Sequence, residues 1–253
     1  MDIIKKLAQE LAIKEEQAKA AVQLIDEGNT IPFIARYRKE MTGALNDETL
    51  RNLHERLLYL RNLEEKKEQV INAITEQDKM TDELKKKILS AETLVAVDDL
   101  YRPYRPKKQT RATKAKEKGL EPLANILLLQ ATSKSMEEEA QSFVNEAKGV
   151  ANVKEALAGA KDIIAEMIAD KADYRKSIRN CTMKQGRLVV KAKDEKAESV
   201  YEMYYDFSEE LSKITGYRVL AINRGEKEKF LTVKVEAPDA QIVNALNKTM
   251  VQD

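Results

Sequence analysis

The sequence contains few of the residues that build disulfides, metal centres and tight turns. Its 253 residues include one cysteine, one histidine and no tryptophan, with eight glycines and five prolines. Because Cys181 is alone, no internal disulfide can form, and we expect a cytoplasmic protein. Cys181 and His54 are too few for the usual zinc site of Cys and His ligands. The scarcity of glycine and proline among many Ala, Leu, Lys and Glu residues favours a mainly α-helical fold.

Long apolar runs and phosphate-binding loops are also absent from the sequence. No run approaches the ~18 apolar residues of a membrane-spanning helix, and every glycine stands alone, which excludes a Gly-x-Gly-x-x-Gly loop. Cys181 has no histidine near it in sequence that could activate it as a nucleophile. We therefore expect no enzymatic activity, no cofactor, no metal, no small-molecule substrate and no membrane partner.

Helical periodicity dominates the first two thirds of the chain. Four leucines recur at spacings of three and four residues, which predicts a long helix over about 47–77: Leu50, Leu53, Leu57 and Leu60. The same seam continues to Glu64 and Lys67, which are charged. We therefore expect the packing partner of this helix to be lost or to change around 64–69.

The sequence changes character after Gly186. We place a domain boundary there, between a helical domain at 1–185 and a mixed α/β region at 186–253. The stretch "RLVVKAK" predicts a short strand at 187–193, and a helix is expected at roughly 194–214.

The segment 217–238 is interpreted as a β-hairpin. Apolar and polar residues alternate over 231–236, as in a strand with one buried face. Arg224 and Gly225 can form the turn that precedes this strand. A last helix is predicted near 239–250.

A basic segment interrupts the helical pattern. From Arg102 to Lys118 the sequence has eight Lys or Arg residues and one acid, in a chain whose formal net charge is only +1. Pro103 and Pro106 remove backbone donors and disfavour regular structure at its start. Lysine and arginine can neutralise phosphates, and Tyr104 can stack on an unpaired base. The segment therefore predicts a contact with nucleic acid.

Two groups of candidate nucleic-acid-binding residues follow from this pattern. The first belongs to the basic segment: Tyr104, Arg105, Lys107, Lys108, Arg111, Lys114 and Lys116. The second is a smaller upstream cluster: Arg36, Arg38 and Lys39. Arg36 and Glu40 are spaced for an ion pair on a helix, which would neutralise part of this second cluster.

A structural interpretation competes with nucleic-acid binding at both groups. The basic segment can be a connector that docks on acidic helix surfaces, with its tyrosines buried and its arginines hydrogen-bonded. Asp98 and Asp99 lie just before it, and an ion pair with Arg102 or Arg105 is a simpler explanation of these acids than a metal site. Cations that face one open surface would favour binding, whereas cations paired with carboxylates would favour the structural role.

Four segments of the sequence resemble the Tex family of bacterial transcription accessory proteins, which is similar to a eukaryotic transcription elongation factor. The resemblance covers almost all of 1–253, and its segments stand in the family's order: "IPFIARYRKEMTG" (31–43), "LYRPYRPKKQTRATKAKEKGLEPLA" (100–124), "VKEALAGAKDIIAE" (153–166) and "YRVLAINRGEKE" (217–228).

The resemblance implies a fold and a function. We expect a mainly α protein, with a multi-helical N-terminal domain that includes a helix-turn-helix-like unit, then the start of a central region with a long helix and a β-hairpin. Tex proteins continue with an RNase-H-type domain, helix-hairpin-helix elements and an OB-fold RNA-binding domain, so we expect this chain to be an N-terminal part. The implied role is either a non-enzymatic module that contacts RNA or DNA, or a scaffold that docks on RNA polymerase or other transcription machinery.

Overall fold

A long helix organises each half of the structure. The computed structural model describes residues 2–251, which form two compact units, one ending at Arg105 and one beginning at Pro106. Both units are mainly helical, and a small antiparallel sheet lies in the second. The predicted mainly α fold class is confirmed.

The first unit is a helical bundle around α4 (Asp47–Thr75), against which the other described α-helices of the unit pack. These are α1 (Ile3–Glu10), α2 (Glu15–Asp26), α3 (Ile31–Tyr37), α5 (Asp82–Ser90) and α6 (Leu94–Tyr101), and a short 3-10 helix follows at Arg102–Tyr104. The long helix predicted over about 47–77 is confirmed as α4. Asn46 caps it by accepting a hydrogen bond from the Thr49 N–H at 2.7 Å.

The apolar seam of α4 is buried along its whole length. Its buried residues recur at spacings of three and four: Leu50, Leu53, Leu57, Leu60, Leu63, Lys67, Val70 and Ile74. The first half of the seam packs with α1, α2 and α3, and the second half packs with α5 and α6. The packing partner changes between Leu60 and Leu63, just before the predicted interval of 64–69.

Lys67 occupies a fully buried position in this seam. Its side chain is 2 % exposed, and its Nζ donates hydrogen bonds to Glu64 Oε1 at 2.8 Å and to the Leu89 carbonyl oxygen at 2.9 Å. A buried ammonium group is costly unless it is paired and hydrogen-bonded. A polar contact thus joins α4 to α5 inside an otherwise apolar cluster.

The second unit combines helices with a three-stranded sheet. Its helices are α7 (Arg111–Glu117), α8 (Glu121–Leu129), α9 (Met136–Gln141), α10 (Val153–Asp170), α11 (Ala172–Gln185), α12 (Gly216–Lys227) and α13 (Asp239–Met250). Its strands are β1 (Arg187–Ala192), β2 (Asp206–Glu210) and β3 (Leu231–Glu236). The central helix of the unit is α10, because α7, α8, α9 and α11 all pack against it.

The sheet has the strand order β2-β1-β3, and both strand pairs are antiparallel. Val190 of β1 is fully buried and lies opposite Phe207 of β2 and Val233 of β3. The strand predicted at 187–193 and the helix predicted near 239–250 are confirmed as β1 and α13.

Two predicted elements of the second unit are wrong. Residues 194–214 contain a short 3-10 helix and β2 rather than an α-helix, and 217–227, the first arm of the predicted hairpin, lies in α12. Gly225 is not in a turn but is buried in α12, where an added Cβ would lie 2.6 Å from Leu231 Cδ1 and 3.0 Å from Tyr201 Cγ. Glycine at this position permits the close contact between α12 and β3.

The change of character predicted after residue 185 is a change of secondary structure. The helix α11 ends at Gln185, and β1 begins at Arg187. The compact units divide after Arg105, and the domain boundary placed at 185 stays a prediction.

Small residues bring α7 close to α10. Ala112 and Ala115 of α7 lie in the same buried cluster as Ala156 of α10. Gly159 of α10 also permits this close approach. A Cβ added there would clash with Leu120 Cδ1 and lie 3.2 Å from Ala115 Cβ. The start of the basic helix α7 is therefore positioned by a tight helix–helix contact.

We predict that Gly159→Val lowers the free energy of unfolding by about 1–3 kcal/mol, because it overpacks this contact. The matched control is Ala158→Val, at an exposed position of the same helix, where only the helix propensity of valine should be felt, at a few tenths of a kcal/mol. Urea denaturation of both variants measures the difference. Equal losses of stability would contradict the tight α7–α10 packing.

Candidate nucleic-acid interface

The start of the basic segment is packed onto the first unit. Tyr101 and Tyr104 are partly buried against the cluster formed by α4, α5 and α6, and the Tyr104 carbonyl oxygen accepts a hydrogen bond from Gln77 Nε2 at 3.1 Å. The Arg105 guanidinium lies 5.5 Å from the centre of the Tyr101 ring and donates to Asp98 Oδ1 at 2.9 Å. The predicted ion pair between Asp98 and Arg105 is confirmed.

Lys107 is held by two carboxylates of α10. Its Nζ lies 3.1 Å from Glu166 Oε1 and also contacts the Asp170 carboxylate. Thr110, the N-cap of α7, donates from Oγ1 to Glu166 Oε2 at 3.0 Å. Burial alone would lower the pKa of Lys107, but the hydrogen bonds to Asp170 and Glu166 outweigh it and raise the pKa above its ordinary value. We call these four residues the Lys107 clamp.

The cations that follow the clamp are more exposed. Lys108 and Lys114 are exposed and form no ion pair with any residue in the described part of the chain. The Arg111 side chain is 88 % exposed, and its Nε lies 3.7 Å from Asp162 Oδ1, which is a long contact. Arg111 and Lys114 are three residues apart and share one face of α7. Lys108, which precedes α7, and Arg111 and Lys114 on α7 are together referred to below as the α7 cations.

Ion pairs engage the other predicted cations of the basic segment. Besides Arg105 and Lys107, Lys116 lies 3.0 Å from Glu121 Oε1, and both side chains are about half exposed. Such surface pairs contribute about 0–1 kcal/mol and can be exchanged for another anion. The Lys107 clamp is the more enclosed arrangement, because only 24 % of the Lys107 side chain and 10 % of the Asp170 side chain are exposed.

The upstream cluster lies at the end of α3. Arg36, Arg38 and Lys39 are exposed, and none of them forms an ion pair within residues 2–251. The expected pair between Arg36 and Glu40 is therefore wrong. Its physical reason is that α3 ends at Tyr37, so Glu40 lies beyond the helical turn that would bring it over Arg36.

Two aromatic residues that the charge pattern did not indicate also belong to this cluster. The rings of Phe33 and Tyr37 are 5.3 Å apart, the Arg38 guanidinium lies 5.1 Å from the Phe33 ring centre, and that of Arg36 lies 5.9 Å from the Tyr37 ring centre. The signal was present in "PFIARYRK", where aromatic and basic residues alternate at helical spacing.

The described side chains were compared with the donor sets that hold metal ions. Within residues 2–251, no set of three or more His, Cys, Asp and Glu side chains is placed to hold a metal ion. None of the helices in the same residues has the length and apolarity needed to cross a bilayer. Both clusters present exposed cations, which can attract anions.

Comparison with known proteins places the sequence in a family. The Tex-like protein N-terminal domain matches residues 1–75, and the Tex central region matches residues 131–253. The chain is 43 % identical over 250 residues to the uncharacterized protein YdcI of Bacillus subtilis. It is 40 % identical over 239 residues to the transcriptional accessory protein Tex of Neisseria gonorrhoeae. It is also 32 % identical over 248 residues to S1 RNA-binding domain-containing protein 1 of Homo sapiens.

These matches cover most of this chain but a minor part of each relative. They span 98 %, 93 % and 94 % of this chain, and 35 %, 31 % and 24 % of the three relatives. The chain thus spans about a third or less of the length of the curated relatives. With residues 1–75 and 131–253 matched in the family's order, the chain belongs to the Tex family of transcription accessory proteins, to whose N-terminal and central regions it corresponds.

Proposed function

We propose that this part of a Tex protein is a non-enzymatic module that associates with nucleic acid through the α7 cations. The observation that carries the proposal is that Lys108, Arg111 and Lys114 extend into solvent while the neighbouring Lys107 is held by carboxylates. Exposed cations can neutralise phosphates and release the counterions bound there, which is the main source of affinity for a polyanion.

The support of α7 suits this role. The helix is fixed on α10 by small buried residues and by the Lys107 clamp, so the α7 cations project from a rigid base. Rigid placement lowers the entropic cost of each phosphate contact. The long contact from Arg111 to Asp162 competes only weakly, because Arg111 is almost fully exposed.

The proposed partner is RNA or DNA in the context of transcription. One relative is by name a transcriptional accessory protein, and another is by name an RNA-binding protein. Both names support RNA as the first probe, and the α7 cations themselves contact only a phosphate backbone that RNA and DNA share.

We predict that replacing Lys108, Arg111 and Lys114 together by glutamine weakens binding of a single-stranded RNA and flattens its salt dependence. Three phosphate contacts on a single strand correspond to a slope of about −2 in log K against log salt concentration. Fluorescence anisotropy of a labelled RNA, titrated with the 253-residue chain at several salt concentrations, measures both quantities. A DNA duplex of the same length is measured alongside.

The matched control removes the same charge from another helix surface. Lys79, Lys85 and Lys86 are exposed and form no ion pair within the described residues, and their triple glutamine variant should bind RNA like the unchanged protein. Equal losses in the two triple variants would mean general charge attraction and would contradict the assignment to α7.

A second candidate function is that of a scaffold that docks on RNA polymerase or another protein of the transcription machinery. Two observations favour it: the Lys107 clamp ties the basic segment to α10, and Arg105 ties it to Asp98 within the first unit. In both contacts a cation of the basic segment binds a carboxylate of the fold and is therefore less available to a ligand.

We predict that Lys107→Met lowers the free energy of unfolding by about 1–3 kcal/mol, because it removes the ammonium group that contacts two carboxylates of α10. Lys108→Met, its exposed neighbour, should be nearly neutral. The pKa of Lys107 is raised in the folded protein, so its contribution is complete below the unfolded pKa of about 10.4. It is lost as pH rises above that value through the folded pKa.

Urea unfolding of both variants at about pH 8 and about pH 11 tests this assignment, since these values bracket the ordinary lysine pKa. The stability gap between Lys107→Met and the unchanged protein should narrow at the higher pH. If the two proteins have the same free energy of unfolding at the lower pH, the clamp does not stabilise the fold.

A further inference from the structure

The end of α3 carries an exposed aromatic ring among unpaired cations. Tyr37 is 59 % exposed and Met41 is 52 % exposed, whereas Ile31 and Ile34 of the same helix are buried against the core around α4. Phe33 and Tyr37 are four residues apart, so they share one side of α3. A large ring left in water beside three cations is not explained by the packing of the first unit.

The cations of this face differ from most of those in the basic segment. Arg36, Arg38 and Lys39 form no ion pair among the described residues, and two of them lie over aromatic rings instead. Glu40, the nearest acid in sequence, is exposed and forms no ion pair with them. The face therefore keeps its positive charge.

A buried polar contact fixes the turn that follows α3. Thr42 is fully buried, and its Oγ1 donates to the carbonyl oxygens of Arg38 at 3.3 Å and Lys39 at 3.4 Å. Gln17 of α2 donates from Nε2 to the carbonyl oxygens of Thr42 at 3.3 Å and Gly43 at 3.0 Å. The backbone that carries the exposed cations is thus held in place before any ligand arrives, which favours binding.

We propose that the end of α3 is a binding site for single-stranded nucleic acid, in which a base stacks on Tyr37 and the flanking phosphates contact Arg36, Arg38 and Lys39. An exposed ring between cations fits an unpaired base with a phosphate on either side. A duplex hides the faces of its bases and would use only the cations. The inference rests on the proposed association with nucleic acid, and it adds a preferred strand type and a second site.

The test compares two exposed tyrosines. Tyr37→Ala should weaken binding of a single-stranded oligouridylate of about 12 nucleotides by about 5- to 100-fold. The same substitution should have little effect on the affinity for an abasic strand of the same length and charge. Tyr37→Phe keeps the ring and should restore binding. Tyr217→Ala is the control, because Tyr217 is 65 % exposed beside Arg218, whose charge is paired with Glu209 at 2.6 Å.

The lack of tryptophan allows a direct measurement of stacking. Tyr37→Trp and Tyr217→Trp each introduce the chain's single tryptophan. Addition of the oligouridylate should quench the fluorescence of the first variant and leave that of the second unchanged, and the abasic strand should quench neither. Circular dichroism and thermal unfolding check that each variant is folded.

The outcomes separate this inference from the proposed function. If the triple variant of the α7 cations loses RNA binding while Tyr37→Ala does not, the α7 site stands and the α3 site is overturned. If both bind like the unchanged protein, both proposals fail. If Tyr37→Ala keeps its RNA affinity but loses binding of a transcription protein, α3 is a protein contact and the base-stacking site is overturned.

Discussion

The apolar seam of α4 is the interaction on which the first unit depends. Each of the other described α-helices in that unit packs against α4, and the seam is buried from Leu50 to Ile74. In the second unit α10 has the same position, with α7, α8, α9 and α11 around it. Each candidate binding surface is a short helix docked on one of these long helices, α3 on α4 and α7 on α10.

The positions of nearby carboxylates divide the predicted nucleic-acid-binding cations into two classes. In the first class the charge is held by a neighbour in the fold: Arg105, Lys107 and Lys116. In the second class the side chains extend into solvent or over an aromatic ring: Arg36, Arg38, Lys39, Lys108, Arg111 and Lys114. A basic stretch in the sequence thus contains both structural and available cations, and the difference depends on which acids the fold brings near.

The elements that can be predicted from the sequence are those that a local residue pattern determines. The leucine spacing predicts α4, and the short apolar run after Gly186 predicts β1. It does not predict α12, because Gly225 resembles a turn residue until Leu231 and Tyr201 are packed against it. Likewise, the carboxylate partners of Lys107 lie about sixty residues away on α10, so no local pattern predicts them.

The buried ammonium of Lys67 fixes the alignment of α4 with its neighbours. If α4 slid by one turn relative to α5, Leu63 or Val70 would face the Leu89 carbonyl oxygen, which would lose its donor, and Lys67 would enter an apolar environment. Either loss costs more than a shift between apolar side chains of similar volume. A seam made only of leucines could slide with little penalty, whereas the buried Lys67 favours the observed alignment.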